Sequence, residues 1–497
     1  MKQNLLYIFA DQWRYEALGC HHADQVMTPN MDRFAAESQR FCHAYSTFPL
    51  CSPHRASLMT GKYPFNVGMW TNCKVGLEEK IMLKPQETCI GNVLKDAGYS
   101  TGYIGKWHLD ASEQNFHPAP ASGAREWDAY TPPGERRQGF DYWLSYGACD
   151  EHLDPHYWHD SEKQIRPGKW SAEYETDMTL EFLDRWRETV QEPKPFALFL
   201  SYNPPHLPYE LVPDRYYDQY RDLEIQYRPN VPEEKRGGLL ETQTRQYFAA
   251  VTGIDDQFGR IMAYLREHGM EENTLVVLSA DHGDMMGSQG LMSKNVWYEE
   301  SIHIPLMMRQ KGYIRPGDND AIVASPDHMP TLLGLLGIPV PVTCQGYDHS
   351  SSMAGTPMYD RGNGDSSNVQ NALEDTGVDR GPEDMLLCSY PGSAQLVSEF
   401  EKAGLTHKAY GWRGIKGRGF TYVVTNGYTP GEEQKEYLYD DEADPYQLAP
   451  REIGPECREE RILKLRRRLR EYLDLTGDPF LWNRDGGKTD EIYNNKS

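Results

Sequence analysis

Polar side chains that could do chemistry stand directly after four short apolar runs of the chain. Run by run, they are Asp11 and Gln12, Lys106 and His108, Asn203 and His206, and Asp281 and His282. If these runs are parallel strands of one sheet, their carboxyl ends meet at one edge, where α/β sheets bind ligands. Converging buried carboxylates repel each other unless a metal ion or basic groups neutralise them. The oxygen donors of Asp11, Gln12 and Asp281 therefore suit a divalent cation.

A cysteine-containing segment gives the second chemical signal. It reads Cys51-Ser52-Pro53-His54-Arg55-Ala56-Ser57-Leu58-Met59-Thr60-Gly61. Pro53 suits the first turn of a helix and Gly61 suits its end, so Cys51 is expected at the helix N-terminus, where backbone N–H groups favour an anion. Arg55 lies four residues further on and shares that helix face. The plain alternative is a packed cysteine beside a surface arginine.

Alternating strand and helix patterns provide the scaffold for these residues. Continuous apolar runs, typical of buried parallel strands, cover residues 5–10, 100–104, 196–202, 275–280 and 304–308. Helical patterns cover residues 31–38, 89–97, 171–189, 245–268 and 330–336. Strands that alternate with helices predict a doubly wound α/β sheet.

The C-terminal part of the chain has a different pattern. Residues 348–384 are rich in Ser, Gly, Asn and Asp and lack periodicity, which indicates a surface loop or a domain boundary. Beyond it, short antiparallel strands are predicted at residues 410–414, 420–425 and 437–439, followed by a basic amphipathic helix at 459–473. We therefore expect a catalytic α/β domain over residues 1–370 and a smaller α+β domain over residues 385–497.

Composition excludes several classes of function. The 497 residues include 51 Lys+Arg and 74 Asp+Glu, and this net charge of −23 argues against a nucleic-acid or anionic-membrane partner. No apolar run approaches the ~20 residues of a membrane span. The nine cysteines include no Cys-x-x-Cys pair, which favours free thiols in a reducing compartment. No cleavage site follows the apolar run at residues 5–10, so a cytoplasmic protein is expected.

The block Cys51-x-Pro53-x-Arg55, with Ala56-Ser57-Leu58-Met59-Thr60-Gly61 after it, resembles the signature of the type I sulfatases of the alkaline phosphatase superfamily. The resemblance covers most of the chain. Its other blocks are Thr28-Pro29-Asn30-Met31-Asp32-Arg33-Phe34-Ala35, Gly102-Tyr103-Ile104-Gly105-Lys106-Trp107-His108, Pro204-Pro205-His206-x-Pro208, Asp281-His282-Gly283, Lys294 with Trp297-Tyr298-Glu299, and Leu438-Tyr439-Asp440-x-x-x-Asp444-Pro445. It implies a large, mixed but mostly parallel sheet flanked by helices, with a smaller C-terminal domain of antiparallel strands and a helix.

The resemblance also implies a role for each site residue. In that family a maturating enzyme converts the cysteine, here Cys51, to formylglycine. The metal ligands implied are Asp11, Gln12, Asp281 and His282, with the modified Cys51 also contacting the ion. The catalytic groups implied around the nucleophile and the sulfate are Arg55, Lys106, His108, His206 and Lys294. Of these, Lys106, His206 and Lys294 are also expected to bind the substrate.

The implied reaction starts from the hydrated aldehyde of formylglycine. One hydroxyl, polarised by the metal, attacks sulfur in line with the leaving alcohol. His206 would protonate the leaving oxygen with help from Lys294, and His108 would deprotonate the second hydroxyl so that sulfate is expelled. Lys106, Lys294 and Arg55 would offset charge on the sulfate oxygens.

Two residues depart from the commoner pattern of the family, which has Asp at the position of Gln12 and Asn at that of His282. The set therefore carries two formal negative charges instead of three, and an imidazole is a softer ligand than an amide oxygen. One Ca²⁺ ion is still expected. Mg²⁺, Mn²⁺ and Zn²⁺ are less strongly excluded here than in family members with the commoner ligand set. Gln and His at these positions also occur in related phosphonate monoester hydrolases and choline sulfatases, whereas Gly105-Lys106-Trp107-His108 resembles the sulfatase version.

The resulting hypothesis is a hydrolase that removes sulfate from a small sulfated mono- or oligosaccharide, including pieces of glycosaminoglycans. The alternatives are a phosphonate monoester or phosphodiester hydrolase on the same scaffold, and an inactive sulfate- or sugar-binding protein if Cys51 is not converted. Family members are often dimeric, which favours a homo-oligomer. The insertion at residues 111–170 is expected to wall the pocket. Candidates to stack on a sugar ring or to line that wall are Trp13, Trp70, Trp107, Trp143 and Trp158.

Overall fold

The computed structural model describes residues 2–189, 194–353 and 381–482. The chain divides into two units, Met1–Glu383 and Asp384–Ser497. The boundary expected after residue 370 falls outside the described residues, as does most of the loop expected at 348–384.

An eight-stranded sheet forms the framework of the first unit. Its strands are β1 (Asn4–Ala10), β2 (Gln39–Tyr45), β3 (Ser100–Lys106), β4 (Tyr142–Tyr146), β5 (Phe196–Tyr202), β6 (Thr274–Ala280), β7 (Leu306–Arg309) and β8 (Gly317–Ala324). The strand order is β4-β3-β5-β1-β6-β7-β2-β8. All neighbours are parallel except β7, which runs antiparallel to both β6 and β2. The predicted mixed, mostly parallel sheet is confirmed, but the parallel direction expected for residues 304–308 is wrong. A buried apolar run looks alike in either direction, so its sequence does not reveal the direction.

Helices lie between most of these strands, as the alternating pattern predicted, but no α-helix joins β3 to β4 or β7 to β8, where the structure describes every residue. In the first unit they are α1 (Pro29–Ala36), α2 (Cys51–Thr60), α3 (Ile90–Asp96), α4 (Ser171–Thr189), α5 (Asp214–Tyr217), α6 (Gly238–Glu267), α7 (Glu299–Ile302), α8 (His328–Leu335) and α9 (Ser350–Met353). Helix α6 starts at Gly238 and is longer than the predicted segment 245–268. No helix in the described parts of the chain is apolar and long enough to cross a membrane.

The second unit is an antiparallel sheet with two helices. Its strands are β9 (Asp384–Ser389), β10 (Gly411–Gly417), β11 (Phe420–Gly427), β12 (Lys435–Asp440) and β13 (Arg451–Glu452). They pair in the order β13-β12-β11-β10-β9. Helix α10 (Ala394–Lys402) comes between β9 and β10 in the chain, and α11 (Glu460–Thr476) follows β13. Three strands and α11 match the predicted segments, whereas β9 and the short β13 were not predicted.

The three central strands of the first unit fix where the polar residues lie. Every residue of β1, β5 and β6 is buried, and burying each large apolar side chain contributes about 1.5–3 kcal/mol. Ala10 pairs with Tyr202 on one side and with Ala280 on the other. The residues that follow these strands, Asp11, Asn203 and Asp281, therefore emerge side by side at one edge of the sheet.

Gly105 allows β3 to approach β5 closely at this edge. Its φ is +96°, a region that residues with a Cβ rarely adopt, and an added Cβ would lie 2.0 Å from the Ser201 carbonyl oxygen. Only glycine fits here, directly before Lys106.

We expect Gly105→Ala to destabilise the protein more than Gly98→Ala. Gly98 has a similar φ of +88° but no atom within 4 Å of the added Cβ, so it reports the backbone cost alone, about 1–2 kcal/mol. Gly105→Ala adds the clash with β5. The free energy of unfolding from denaturant titration measures both. Equal losses for the two variants would contradict this explanation of Gly105.

Candidate active site

The helix predicted from the cysteine segment is present as α2. Cys51 is its first residue, and Gly61, with φ of +66°, ends it. All ten residues of α2 are buried, including Arg55, which is 1% exposed. The alternative of a surface arginine is therefore wrong.

Arg55 lies between the two carboxylates that end β1 and β6. Its Nε is 3.0 Å from Asp281 Oδ2, and its Nη2 is 3.0 Å from Asp11 Oδ2. Its Nη1 donates to the Lys106 carbonyl and to Ser201 Oγ, both at 2.7 Å. We expected Arg55 to offset charge on the sulfate oxygens. In the structure, all three guanidinium nitrogens of Arg55 donate to acceptors of the protein itself. The charge that Arg55 offsets is that of the two carboxylates.

Cys51 and three side chains around it form a cluster with the spacing of a metal site. The ligand atoms of Asp11, Cys51, Asp281 and His282 all lie within 4.8 Å of one another, and no other such group occurs among the described residues. His282 Nε2 is 3.3 Å from Cys51 Sγ and 3.5 Å from Asp281 Oδ1. The other ring nitrogen, Nδ1, is 3.1 Å from the Gly283 carbonyl. A proton on Nδ1 leaves the Nε2 lone pair facing the cluster, as a metal ligand requires.

The pKa shifts of the two carboxylates in the cluster favour a bound cation. Burial raises the pKa of Asp281 to about 6, and the charge of Asp11 acts in the same direction. Burial also opposes ionisation of Asp11, but Lys106, His206 and Arg55 lower its pKa well below the usual value. One carboxylate is thus ionised and the second resists ionisation beside it. Two oxygen donors, an imidazole and a sulfur position fit a divalent cation, which would relieve this repulsion.

Two lysines place positive charge at Cys51. Lys106 Nζ is 2.8 Å from Asp11 Oδ2 and donates to Asn203 Oδ1 at 3.0 Å. Burial and Asp11 oppose ionisation of the Cys51 thiol, but Lys294, Lys106 and His282 lower its pKa well below the usual value. These three side chains therefore favour an anion at position 51, and the share of the α2 N-terminus in this effect stays a prediction.

His108 is set up to accept a proton. It is buried, with φ of +50°, and its Nε2 lies 3.1 Å from the Cys73 carbonyl. Donation from Nε2 leaves Nδ1 as the unprotonated nitrogen. Burial lowers the pKa of His108, which keeps the ring neutral, while its contact with Cys51 opposes this shift.

His206 lies in the segment after β5 and is 9% exposed. It lies between two cis peptide bonds, Pro204-Pro205 and Leu207-Pro208. Its Nδ1 is 2.6 Å from the Leu207 carbonyl and 3.4 Å from Asp150 Oδ1. Because Nδ1 is engaged, Nε2 is the nitrogen that can meet a substrate.

Gln12 and Lys294 meet directly in the site. The Gln12 Oε1 atom, expected as a metal ligand, accepts a hydrogen bond from Lys294 Nζ. Its Nε2 donates to Asp284 Oδ2 and, at 3.3 Å, to the Tyr209 hydroxyl. In this arrangement Gln12 positions Lys294.

Sequence reasoning missed the groups that hold these side chains in place. Asp284 accepts from Gln12, from the Tyr209 hydroxyl at 2.5 Å, and from the backbone N–H groups of Met286 and Ser293. Asp284 directly follows the block Asp281-His282-Gly283, so its place in the sequence was a signal. Nothing local in the sequence indicates Tyr209.

The tryptophans expected to stack on a sugar are instead part of the core. Trp13, Trp70, Trp107, Trp143 and Trp158 are all at most 2% exposed. Trp107, for example, packs edge-on against Trp143, with ring centroids 5.2 Å apart. Burying such large rings stabilises the fold more than leaving them in solvent.

A different tryptophan of the 111–170 insertion lies at the surface beside the site. Trp127 is 41% exposed, and its ring centroid is 6.3 Å from that of His108. Lys74 Nζ lies 5.5 Å from the Trp127 centroid. The insertion thus contributes an exposed aromatic face next to the proton acceptor.

Comparison with known proteins assigns this arrangement to a family. The Sulfatase family model matches residues 3–338. An endo-4-O-sulfatase of Bacteroides thetaiotaomicron is 34% identical over 470 residues, which cover 90% of this chain and 87% of that protein. An ulvan-active sulfatase of Formosa agariphila is 35% identical over 70% of this chain and 64% of its own length.

A solved structure from glycosaminoglycan metabolism by Bacteroides thetaiotaomicron is similar over 96% of this chain and 97% of its own. Its TM-score is 0.83 and its sequence identity is 32%. With a family model that spans most of the first unit and relatives that share a third of their residues, the chain belongs to the sulfatase family.

Proposed function

We propose that this protein hydrolyses sulfate esters of a small sulfated carbohydrate, with Cys51 converted to formylglycine and one Ca²⁺ ion bound. The observation that carries the proposal is the position of Cys51 at the start of α2, between the metal-type cluster and the two lysines. A nucleophile, an anion-binding group, a proton acceptor and a proton donor are then all within one pocket.

The residues that would hold the cation are Asp11, Asp281 and His282, together with the side chain at position 51. When bound, the cation and the modified residue would supply an activated hydroxyl, because a metal ion lowers the pKa of a coordinated hydroxyl. Gln12 joins this set only if its Oε1 turns from Lys294 to the ion. Calcium suits the oxygen donors best.

The remaining side chains divide the work of binding and proton transfer. Lys106 and Lys294 would offset the charge of the sulfate oxygens, since both already lower the pKa of the group at position 51. His206 Nε2 would donate a proton to the leaving oxygen, and His108 Nδ1 would accept one near position 51. Arg55 would act indirectly, by holding Asp11 and Asp281 in place.

Two observations support a carbohydrate substrate. Trp127 presents a flat, exposed aromatic face beside His108, a surface that suits the apolar face of a sugar ring. The similar proteins named above act on ulvan or are called an endo-4-O-sulfatase. None of the nine cysteines, all of which lie in the described residues, forms a disulfide, which supports the expected location in the cytoplasm.

Conversion of Cys51 and the choice between sulfur and phosphorus can be tested in one sample. We expect the mass of the tryptic peptide that contains Cys51 to show formylglycine, and the same sample to hydrolyse an aryl sulfate faster than an aryl phosphonate. Cys51→Ala should reduce sulfate turnover by at least about a hundredfold, since the nucleophile is lost. Preferred phosphonate turnover by converted enzyme would favour the phosphonate hydrolase. Protein that keeps an unmodified Cys51 and shows no turnover even after co-expression with a maturating enzyme, yet binds a sulfated sugar, would favour the binding protein.

The metal proposal predicts a gain in stability on binding. In chelator-treated protein, Ca²⁺ at about 100 times its Kd should stabilise the fold by about 2.7 kcal/mol, seen as a higher Tm. Asp281→Asn and His282→Gln should lose most of this gain, whereas Asp318→Asn, an exposed residue outside the cluster, should keep it. An unchanged calcium-dependent Tm shift in both cluster variants would place the ion elsewhere. Parallel titrations with Mg²⁺ and Mn²⁺ compare the candidate metals.

The role of Trp127 can be separated from catalysis. We expect Trp127→Ala to raise KM for a sulfated disaccharide by about tenfold, the equivalent of ~1.4 kcal/mol, while KM for a small aryl sulfate changes little. Phe116→Ala is the matched control, because Phe116 is 49% exposed in the same insertion but stacks on Lys80. Equal effects of Trp127→Ala on both substrates would argue against a sugar-stacking face.

A further inference from the structure

The loop after β4 and the segment before it together supply a second group of polar residues, which the sulfatase reaction does not use. Cys149 Sγ is 3.6 Å from His156 Nδ1, and His156 Nε2 is 2.6 Å from Asp128 Oδ2. His156 and Asp128 are 7% and 2% exposed. A thiol, an imidazole and a carboxylate thus lie in a line, in the order nucleophile, base and orienting group.

Hydrogen bonds from the backbone hold the Asp128 carboxylate in place. Its Oδ1 accepts three backbone N–H groups: from Ala129 at 3.0 Å, from Gly147 at 2.7 Å and from Ala148 at 3.2 Å. These bonds leave Oδ2 for the imidazole and fix the segment that leads to Cys149. With Nε2 bound to a carboxylate, Nδ1 is the nitrogen that faces the thiol.

The arrangement is a relay and not a metal site. His156 uses opposite ring nitrogens for its two partners, so the three side chains do not converge on a common point. The metal-type cluster found among the described residues does not include them.

Cys149 is also reachable from solvent, being partly exposed. Cys73, Cys89 and Cys388 are buried, and burial raises the pKa of each of these thiols. Reactive cysteines combine access to solvent with a neighbour that takes up the thiol proton, whereas buried cysteines are inert. Cys149 meets both conditions.

We propose that Cys149 is a modification site that reacts with small hydroperoxides, with His156 as its acid–base partner and Asp128 as a positioning residue. His156 takes the proton of the thiol, and the thiolate attacks one oxygen of the O–O bond. The S–O bond forms as the O–O bond breaks, sulfur is oxidised by two electrons, and the hydroperoxide is reduced. The leaving oxygen takes the proton from His156, which gives a sulfenic acid and water or an alcohol.

The imidazole is suited to hold this proton. Burial lowers the pKa of His156, but the hydrogen bonds to Asp128 and Cys149 outweigh burial and raise it to about 9. The other neighbours are the rings of Trp158 and Tyr146, with centroids 4.7 Å and 6.4 Å from that of His156. The hydrogen-bond partners of the imidazole are therefore Asp128 and Cys149.

The thiol lies beside the pocket but its chemistry does not depend on sulfate turnover. The Cys149 carbonyl accepts a hydrogen bond from Asn203 Nδ2 at 2.6 Å, and the next residue, Asp150, meets His206. The proposal can therefore be tested on the thiols alone, without a sulfated substrate.

The test is oxidation of the full chain with hydrogen peroxide, with dimedone present to trap sulfenic acid and peptide mass spectrometry to read each cysteine. We expect Cys149 to be labelled at least about tenfold faster than the partly exposed Cys344, whose thiol donates to the Thr60 carbonyl. His156→Gln should remove this advantage and leave labelling of Cys344 unchanged.

Asp128→Asn provides the second variant, because the Asn Oδ1 can still accept the three backbone N–H groups while the charge beside His156 is lost. Asp128→Asn should slow labelling of Cys149 and change the Tm little. This variant keeps the proposal testable if His156→Gln fails to fold. The proposal is overturned if Cys149 and Cys344 are labelled at the same rate in the unmodified sequence. It is also overturned if Asp128→Asn, folded as judged by circular dichroism, labels Cys149 at the original rate.

Discussion

A single buried guanidinium between two buried carboxylates is the contact on which the rest of the site depends. The side chains of Arg55, Asp11 and Asp281 are all fully buried. Removing one member of such a group leaves an unpaired charge in the interior, at a cost of about 3–5 kcal/mol. Asp11 and Asp281 end the central strands β1 and β6, and Arg55 belongs to α2. The contact therefore fixes the helix that carries Cys51 against the strands that carry the cation-binding groups.

The distribution of charge explains how an acidic protein can hold an anion. The net charge of −23 is a property of the whole chain, but salt screens exposed charges beyond about 10 Å. Inside the pocket, the balance is set by Asp11 and Asp281 against Arg55, Lys106 and Lys294. Arg55 and Lys106 contact these carboxylates directly and out of solvent, and the partly buried Lys294 contacts Gln12 beside them, so the local balance governs what binds. The low pKa of Cys51 is the clearest sign of it.

The sequence predicted the strand ends well because a parallel sheet brings every carboxyl end to one edge. Asp11, Lys106 and Asp281 meet there, as expected from the apolar runs before them. The direction of β7 and the hydrogen-bond partners of Arg55 could not be predicted, since both depend on residues that are distant in sequence. Tyr209 was missed for the same reason: it contacts Asp284 across 75 residues, and nothing in its own segment marks it.

The tryptophans show a further limit of sequence reasoning, and also what the insertion adds. Trp143 and Trp127 are the same residue type in the same insertion, yet one packs in the core and the other is exposed beside His108. Only the neighbours of each ring decide this. The groups for hydrolysis lie mostly at strand ends and on α2, whereas the exposed aromatic face lies in a loop. A loop can change its side chains without moving the strands, so the choice of sugar can vary while the hydrolytic groups stay in place.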